Sequence, residues 1–146
     1  MIASSRLALD ASILIEMMAG SQHVESIAMD ALSGRVELLA ARLSLTEALY
    51  VACRLWGRNV AWRRARMLLD SGYIEVVEDE RVWELAAECK CRIPIALGDC
   101  YTLAAAKLYN ATPVFLREEK ELVENASLIE EWLGTKPLYI LSSSRR

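Results

Sequence analysis

Short apolar segments that alternate with helical patterns constrain the fold of this chain more than any other feature. Apolar runs typical of strands occur at residues 6–9, 36–41, 73–77, 112–116 and 137–141. The segments between them carry apolar residues at helical spacing, so strands and helices are predicted to alternate. Because parallel strands are joined by right-handed helical crossovers, the pattern predicts an α/β fold, a three-layer α/β/α sandwich with a central parallel sheet.

Length and composition indicate one domain. The chain has 146 residues, of which 54% are hydrophobic, and this is ample for one core. We predict a single domain over residues 1–141 and a frayed tail over residues 142–146. Arg6, Asp10 and Glu16 interrupt the apolar N-terminal stretch, and no run reaches the roughly 18 residues that a membrane span needs. We therefore expect a soluble, cytoplasmic protein that does not bind a membrane.

The cysteines and the single histidine argue against a zinc site. Cys53, Cys89, Cys91 and Cys100 form no CxxC pair, and His23 is the one histidine in the chain. We expect the cysteines to serve mainly as small buried hydrophobic residues and His23 to lie on the surface. The chain has one Gln and three Asn, which is typical of heat-adapted proteins, and intracellular disulfides occur in some of these.

Four acidic residues stand where a strand ends or a helix begins, namely Asp10, Glu47, Asp99 and Glu118. In an open parallel sheet such positions share one edge, so residues distant in sequence can meet there. Clustered carboxylates repel one another unless a cation compensates them, and Mg²⁺ or Mn²⁺ is the usual partner of all-oxygen ligands. The pattern predicts a metal site with Asp10 and Asp99 as direct ligands, Glu47 direct or through water, and Glu118 at a second ion.

Each of these acids also has a purely structural interpretation. Asp10 and Asp99 can be helix N-caps, and Ser44-x-x-Glu47 has the spacing of a capping box. Glu118 can be the start of a solvated acidic helix. For single residues these interpretations stay open, but ligands of one metal must share an edge, whereas independent caps need not.

The order of the acids resembles that of the PIN-domain ribonucleases, most closely the small VapC-type toxins of prokaryotic toxin–antitoxin systems. The resemblance lies in LALDASILIE, with Asp10 and Ser12 in the opening D-x-S/T motif, and in LSLTEAL, which carries Glu47. A third segment, IPIALGDCYTLAAAKLYNATPVF, carries Asp99 in a pattern typical of that family. The resemblance covers nearly the whole chain.

The fourth motif departs from the family pattern. PIN domains usually show Thr-x-Asp after the fourth strand, whereas this chain has Leu116-Arg117-Glu118. The fourth acid therefore lies between Glu118 and Glu119. Because side chains alternate at the end of a strand, only one of the two should point into the cluster, and a strand that ends at Leu116 favours Glu118.

The resemblance implies a Mg²⁺- or Mn²⁺-dependent endoribonuclease that hydrolyses RNA phosphodiester bonds, as the toxin of a toxin–antitoxin pair. It also implies a homodimer and a small antitoxin whose C-terminal segment fills the acidic groove. Metal ions held by carboxylates can activate water for attack on phosphorus, and Ser12 and Thr46 can orient the carboxylates. The alternatives are a catalytically silent PIN-like scaffold that binds RNA or protein, and an RNA-processing nuclease outside toxin–antitoxin systems.

One stretch of the chain is basic although the net charge is −3. No acid occurs between Glu47 and Asp70, where arginines and two tryptophans are interleaved. The RNA-binding candidates are Arg54, Arg58, Arg63 and Arg64. Such a stretch can follow phosphates and stack on bases. The alternative is a solvated helix face whose tryptophans pack in the core or a dimer contact.

Overall fold

The computed structural model describes residues 5–141, so the predicted tail at residues 142–146 lies outside the described part. Five strands form one sheet in which all neighbours are parallel. They are β1 (Ser5–Leu9), β2 (Val36–Ala41), β3 (Ile74–Val77), β4 (Thr112–Arg117) and β5 (Leu138–Leu141), in the spatial order β3-β2-β1-β4-β5. The predicted strands are confirmed, and four of the five differ from the prediction by one residue at one end.

Helices connect the strands and cover both faces of the sheet. They are α1 (Ala11–Ala19), α2 (Glu25–Leu32), α3 (Arg42–Trp56), α4 (Arg58–Asp70), α5 (Arg81–Arg92), α6 (Leu97–Tyr109), α7 (Lys120–Glu124) and α8 (Ala126–Leu133). A short 3₁₀ turn, Gln22–Val24, directly precedes α2. Within residues 5–141, no helix has the length and apolar content needed to cross a membrane.

Side chains of the central strands point alternately to the two faces of the sheet, and each face carries its own hydrophobic core. Leu7 and Leu9 of β1 and Leu38 of β2 pack on one face with α1 to α4. Ala8 and Leu39 point to the other face and pack with α5 to α8. Successive side chains of a strand point to opposite faces, so a sheet covered on both sides is apolar along its whole length. The predicted three-layer sandwich with a central parallel sheet is confirmed.

Helix α3 begins earlier than a capping box at Ser44 would place it. It starts at Arg42, directly after β2, with Ala41 as the N-cap residue. Ser44 is therefore inside the helix and fully buried, with its hydroxyl 3.4 Å from Thr102 Oγ1 of α6. The capping-box interpretation of Glu47 is wrong, because Ser44 contacts a distant helix instead of capping its own.

Helix α6 also begins earlier than an N-cap at Asp99 would place it, at Leu97. The backbone amide of Ala96, which precedes the helix, donates to Glu121 Oε1 at 2.8 Å. A side chain that is distant in sequence thus binds the start of this helix. Asp99 lies in the first turn and does not cap it, so the N-cap interpretation of Asp99 is wrong.

Candidate active site

Hydrogen bonds join the Asp10 side chain directly to α1 and α6 and, through Ser12, to β4. Asp10 follows β1 directly, at the carboxyl edge of the sheet, and only 8% of it is exposed. Its Oδ2 accepts hydrogen bonds from the Ser12 amide at 3.0 Å and the Ser12 hydroxyl at 2.7 Å, and its Oδ1 accepts one from Thr102 Oγ1 at 3.0 Å. The Ser12 hydroxyl oxygen also accepts from the Leu116 amide at 3.1 Å. The N-cap interpretation is confirmed, but these further bonds tie Asp10 to β4 and α6.

Glu47 approaches this site from α3. The glutamate is half-buried, and its carboxylate lies against Gly98 so closely that a Cβ atom added to Gly98 would overlap its oxygens. Burial, and then the charge of Asp10, raise the pKa of Glu47. The missing side chain of Gly98 thus allows α3 to bring Glu47 beside the first turn of α6, where Asp99 is the next residue.

The site contains five carboxylates that interact electrostatically, namely Asp10, Glu47, Asp99, Glu119 and Glu121, and we call them the acidic group. Burial, followed by the charges of Asp10, Glu119, Glu121 and Glu47, raises the pKa of Asp99 to about 7. Opposite charges lower the pKa of a carboxyl group, so this shift indicates like charges that are not compensated nearby. The structure therefore gathers carboxylates from four parts of the chain around the start of α6.

The residues after β4 differ in which cavity they line. Arg117 and Glu119 border a cavity of about 120 Å³ together with Asp10, whereas Glu118 lines a separate cavity. The strand continues to Arg117, where it pairs with Leu141 of β5, one residue beyond the predicted end. The structure thus brings Glu119, and not Glu118, beside Asp10, and Glu119 is exposed.

The fit of a metal ion depends on the ligand chemistry. In the described residues 5–141, no three His, Cys, Asp or Glu side chains are assembled as a metal-binding group. The acids do offer an all-oxygen donor set, which suits Mg²⁺ or Mn²⁺, and the repulsion at Asp99 is what such an ion relieves. The residues therefore fit a hard divalent cation in their chemistry, although the side chains of the described residues are not arranged around one point.

Supporting residues were predicted only in part. Ser12 does orient Asp10, but the exposed Thr46 donates its hydroxyl to the Arg42 carbonyl at 3.4 Å, within its own helix. Thr102 and Gly98 were not predicted. Thr102 follows Asp99 by three residues, so both lie on one helix face, and a lone polar residue within the apolar run Thr-Leu-Ala-Ala-Ala was a usable signal. Nothing local in the sequence indicates that Gly98 contacts α3.

The basic stretch forms a surface on α3 and α4 in which arginines stack on aromatic rings. The stacked pairs are Arg54 on Tyr50 at 5.2 Å, Arg58 on Trp62 at 4.5 Å and Arg64 on Trp56 at 4.7 Å, each from the guanidinium carbon to the ring centroid. Across residues 5–141, none of these arginines forms an ion pair with a carboxylate, and Arg63 forms none either. We call Arg54, Arg58, Arg63 and Arg64 the basic row.

The basic row begins close to the acidic group. Tyr50 and Arg54 follow Glu47 by three and seven residues on α3, so the three side chains lie along one helix face. Tyr50 is 45% exposed and Trp62 is 40% exposed. An unpaired positive surface with open aromatic rings thus continues from the face that carries Glu47.

The fold and the acidic group define the class of protein, a parallel α/β protein with a carboxylate site at the carboxyl edge of its sheet. The PIN domain family model matches residues 7–127, so the chain belongs to the PIN domain family. No curated protein sequence matches it.

Solved structures of toxin–antitoxin proteins share this fold. The chain is similar to the Rickettsia felis VapBC2 structure bound to a promoter DNA fragment, with a TM-score of 0.67, 14% identity and coverage of 95% of this chain and 99% of that one. For VapBC-1 of nontypeable Haemophilus influenzae the TM-score is 0.61 and the identity is 15%, and the match covers 92% of this chain and 98% of that one. For Mycobacterium tuberculosis VapC20, a toxin that cleaves the sarcin–ricin loop, the TM-score is 0.59 and the identity is 18%. That match covers 73% of this chain and 85% of the other.

Proposed function

We propose that this PIN domain protein is a Mg²⁺- or Mn²⁺-dependent endoribonuclease of the VapC type. The observation that carries the proposal is the rise of the Asp99 pKa to about 7, in which burial is followed by the charges of four other carboxylates. A PIN domain that keeps an uncompensated acidic group at the carboxyl edge of its sheet has the arrangement that a divalent ion neutralises. The similar VapC and VapBC folds support the toxin assignment.

The proposed ligands are Asp10, Glu47 and Asp99, and the position of Glu119 favours it over Glu118 as the fourth acid. When bound, a divalent ion would lower the pKa of a water and neutralise charge on the phosphate. The chain's own contribution is positioning. Ser12 and Thr102 fix both oxygens of Asp10, and the Glu47 carboxylate is held against α6.

The test is a cleavage assay on single-stranded and structured RNA with Mg²⁺, Mn²⁺ or EDTA. Wild-type protein should cleave only with a divalent ion, and Asp10→Asn or Asp99→Asn should remove that cleavage while the protein stays folded. Asp70→Asn is the matched control, because Asp70 is an exposed residue at the end of α4, on the opposite edge of the sheet. Equal activity of the Asp99→Asn and Asp70→Asn proteins would refute the catalytic assignment.

We assign RNA binding to the basic row, because it is unpaired, exposed and continuous with the face of Glu47. In EDTA, where RNA is bound and not cut, Arg54→Ala and Arg58→Ala should weaken binding of single-stranded RNA. Each should lower the slope of log affinity against log salt by about 0.7. Arg92→Ala is the control, since Arg92 lies on α5 and pairs with Glu88. An unchanged slope in both test variants would remove the basic row from the substrate site.

An antitoxin and a second copy of the chain are the proposed protein partners. A largely apolar cavity of about 520 Å³ opens between α1, α2 and α4, bordered by Met17, Leu32 and Leu68. Leu32, which borders this cavity, and Met29 on the same helix are each 58% exposed, so α2 presents apolar surface there. A neighbouring gene that encodes a short DNA-binding protein would support the toxin assignment. The product of that gene should then form a stable complex with this chain, seen as an earlier elution in gel filtration. Light scattering tests the homodimer.

A catalytically silent PIN scaffold is the second candidate, and Arg117 is the residue that favours it. Arg117 lies between Leu116 and Glu118 in the departing fourth motif and borders the cavity of Asp10 and Glu119. A guanidinium there can offset part of the negative charge without a metal. If Arg117→Ala increases metal-dependent cleavage, the nuclease is the correct assignment. RNA binding without cleavage, in the wild type and in Arg117→Ala alike, would favour the scaffold.

A further inference from the structure

Two buried cysteines meet between α5 and α6. Cys89 and Cys100 are both 0% exposed, and their sulfur atoms are 3.0 Å apart as free thiols. Both belong to the core on the α5 to α8 face of the sheet. The proposed nuclease chemistry uses neither residue. Sequence spacing alone does not indicate this pair, because the two residues lie on different helices.

We propose that Cys89 and Cys100 are an oxidation site that forms an intramolecular disulfide bond between α5 and the first turns of α6. A disulfide needs sulfur atoms about 2.05 Å apart, so the thiols must approach by about 1 Å more. Cys91 does not compete for the same partner, since it is exposed on another face of α5. The site thus goes beyond the expectation that these cysteines serve only as small buried hydrophobic residues.

The oxidant is a low-molecular-weight disulfide such as oxidised glutathione. The thiolate of one cysteine attacks it, forms a mixed disulfide and releases one small thiol. The second cysteine then attacks the protein sulfur of that mixed disulfide and releases the other small thiol. The protein loses two protons and two electrons, and the oxidant gains both.

Burial determines when this bond can form. Because both sulfurs are inaccessible in the folded protein, the oxidant must reach them before α5 packs against α6 or during local opening of this pair. Oxidation should therefore be fast during refolding and slow in the native state. The bond closes a loop that contains Gly98 and Asp99, so it should also restrict the start of α6, where the acidic group meets.

The composition is compatible with such a bond inside a cell. The chain has one Gln and three Asn among 146 residues, as heat-adapted proteins do, and disulfides persist in the intracellular proteins of some of these organisms. Restricting the unfolded chain raises stability, so the oxidised protein should unfold at a higher temperature than the reduced one.

The test is refolding of the full chain with oxidised and reduced glutathione, followed by alkylation of free thiols and digestion by trypsin without reductant. Cleavage at Lys90 and Arg92 separates the relevant cysteines, placing Cys89 in residues 82–90 and Cys100 in residues 93–107. The expected product is these two peptides linked, in a protein about 2 Da lighter than the reduced form. The melting temperature should fall by several degrees on reduction.

The chain supplies its own control in Cys53 and Cys91. A Cys53→Ser, Cys91→Ser protein should keep the linked peptide and the effect of reductant, whereas Cys89→Ala should lose both. The wild-type comparison with and without reductant needs no variant, so it decides the matter even if Cys89→Ala fails to fold. Four alkylated cysteines after oxidative refolding, or a linked peptide that contains Cys91, would overturn the proposal.

Discussion

Replacing Asp99 by asparagine should stabilise the metal-free protein at neutral and alkaline pH. The folded protein raises the pKa of Asp99 from 3.8 to about 7, through burial first and the neighbouring carboxylates second. The folded state therefore binds the Asp99 proton more tightly than the unfolded state does, and ionised Asp99 destabilises the fold. This cost is absent below about pH 4, grows between about pH 4 and 7, and is constant above that range.

The magnitude follows from the size of the pKa shift. About three pKa units correspond to at most about 4 kcal/mol, since one unit is about 1.4 kcal/mol. Asp99 is half-buried, so water and salt screen part of this, and we expect about 1–3 kcal/mol at pH 8. For a domain of this size that is a rise of roughly 3–10 °C in melting temperature. Near pH 4 the two proteins should be equally stable.

Asp10→Asn should have the opposite effect and serves as the comparison. Asp10 accepts three hydrogen bonds, from Ser12 and Thr102, so an amide there loses charge-assisted bonds in a buried site and should lower the free energy of unfolding. The assay is urea unfolding in EDTA at pH 4 and pH 8. Lower stability of Asp99→Asn at pH 8, or a gain that is independent of pH, would refute the electrostatic reasoning.

Three further predictions concern the neighbours of these acids. Gly98→Ala should displace the Glu47 carboxylate and lower RNA cleavage by roughly a hundred-fold, while circular dichroism shows that the helix is retained. Glu119→Gln should weaken the Mn²⁺ dependence of cleavage several-fold more than Glu118→Gln, because Glu119 borders the cavity of Asp10. The reverse ranking would identify Glu118 as the fourth acid. Thr102→Val should cost about 1–2 kcal/mol in urea unfolding, because a buried carboxylate loses its donor, whereas Thr102→Ser should cost much less.

Local patterns predicted most of the fold because they depend on what each segment buries. The strand over residues 36–41 was predicted to the residue, since a buried parallel strand is a largely apolar run bounded by polar residues, here Arg35 and Arg42. Helix starts were predicted less well. Ser44 has the spacing of a cap, but its hydroxyl lies beside Thr102, 58 residues away, and no local pattern contains that contact.

The sequence pointed to part of the acidic site. Asp10 follows a strand and Asp99 lies in a first helical turn, as predicted, whereas Glu47 lies more than one turn inside α3. The position after β4 was predicted wrongly, since Glu119 borders the cavity of Asp10 and Glu118 lines a separate one. The path of the chain between β4 and α7 decides which glutamate meets Asp10, and no local sequence pattern contains that contact.

Calorimetric titration of the protein with Mn²⁺ tests most directly whether the acidic group is a metal site. Wild-type and Asp70→Asn proteins should bind with equal affinity, and Asp99→Asn should bind at least about ten-fold more weakly. Because the pKa of Asp99 is about 7, binding at pH 6 should release a proton that is not released at pH 8.5, seen as a dependence of the heat on the buffer. Equal affinity in the Asp99→Asn protein, with no proton release at pH 6, would contradict the account.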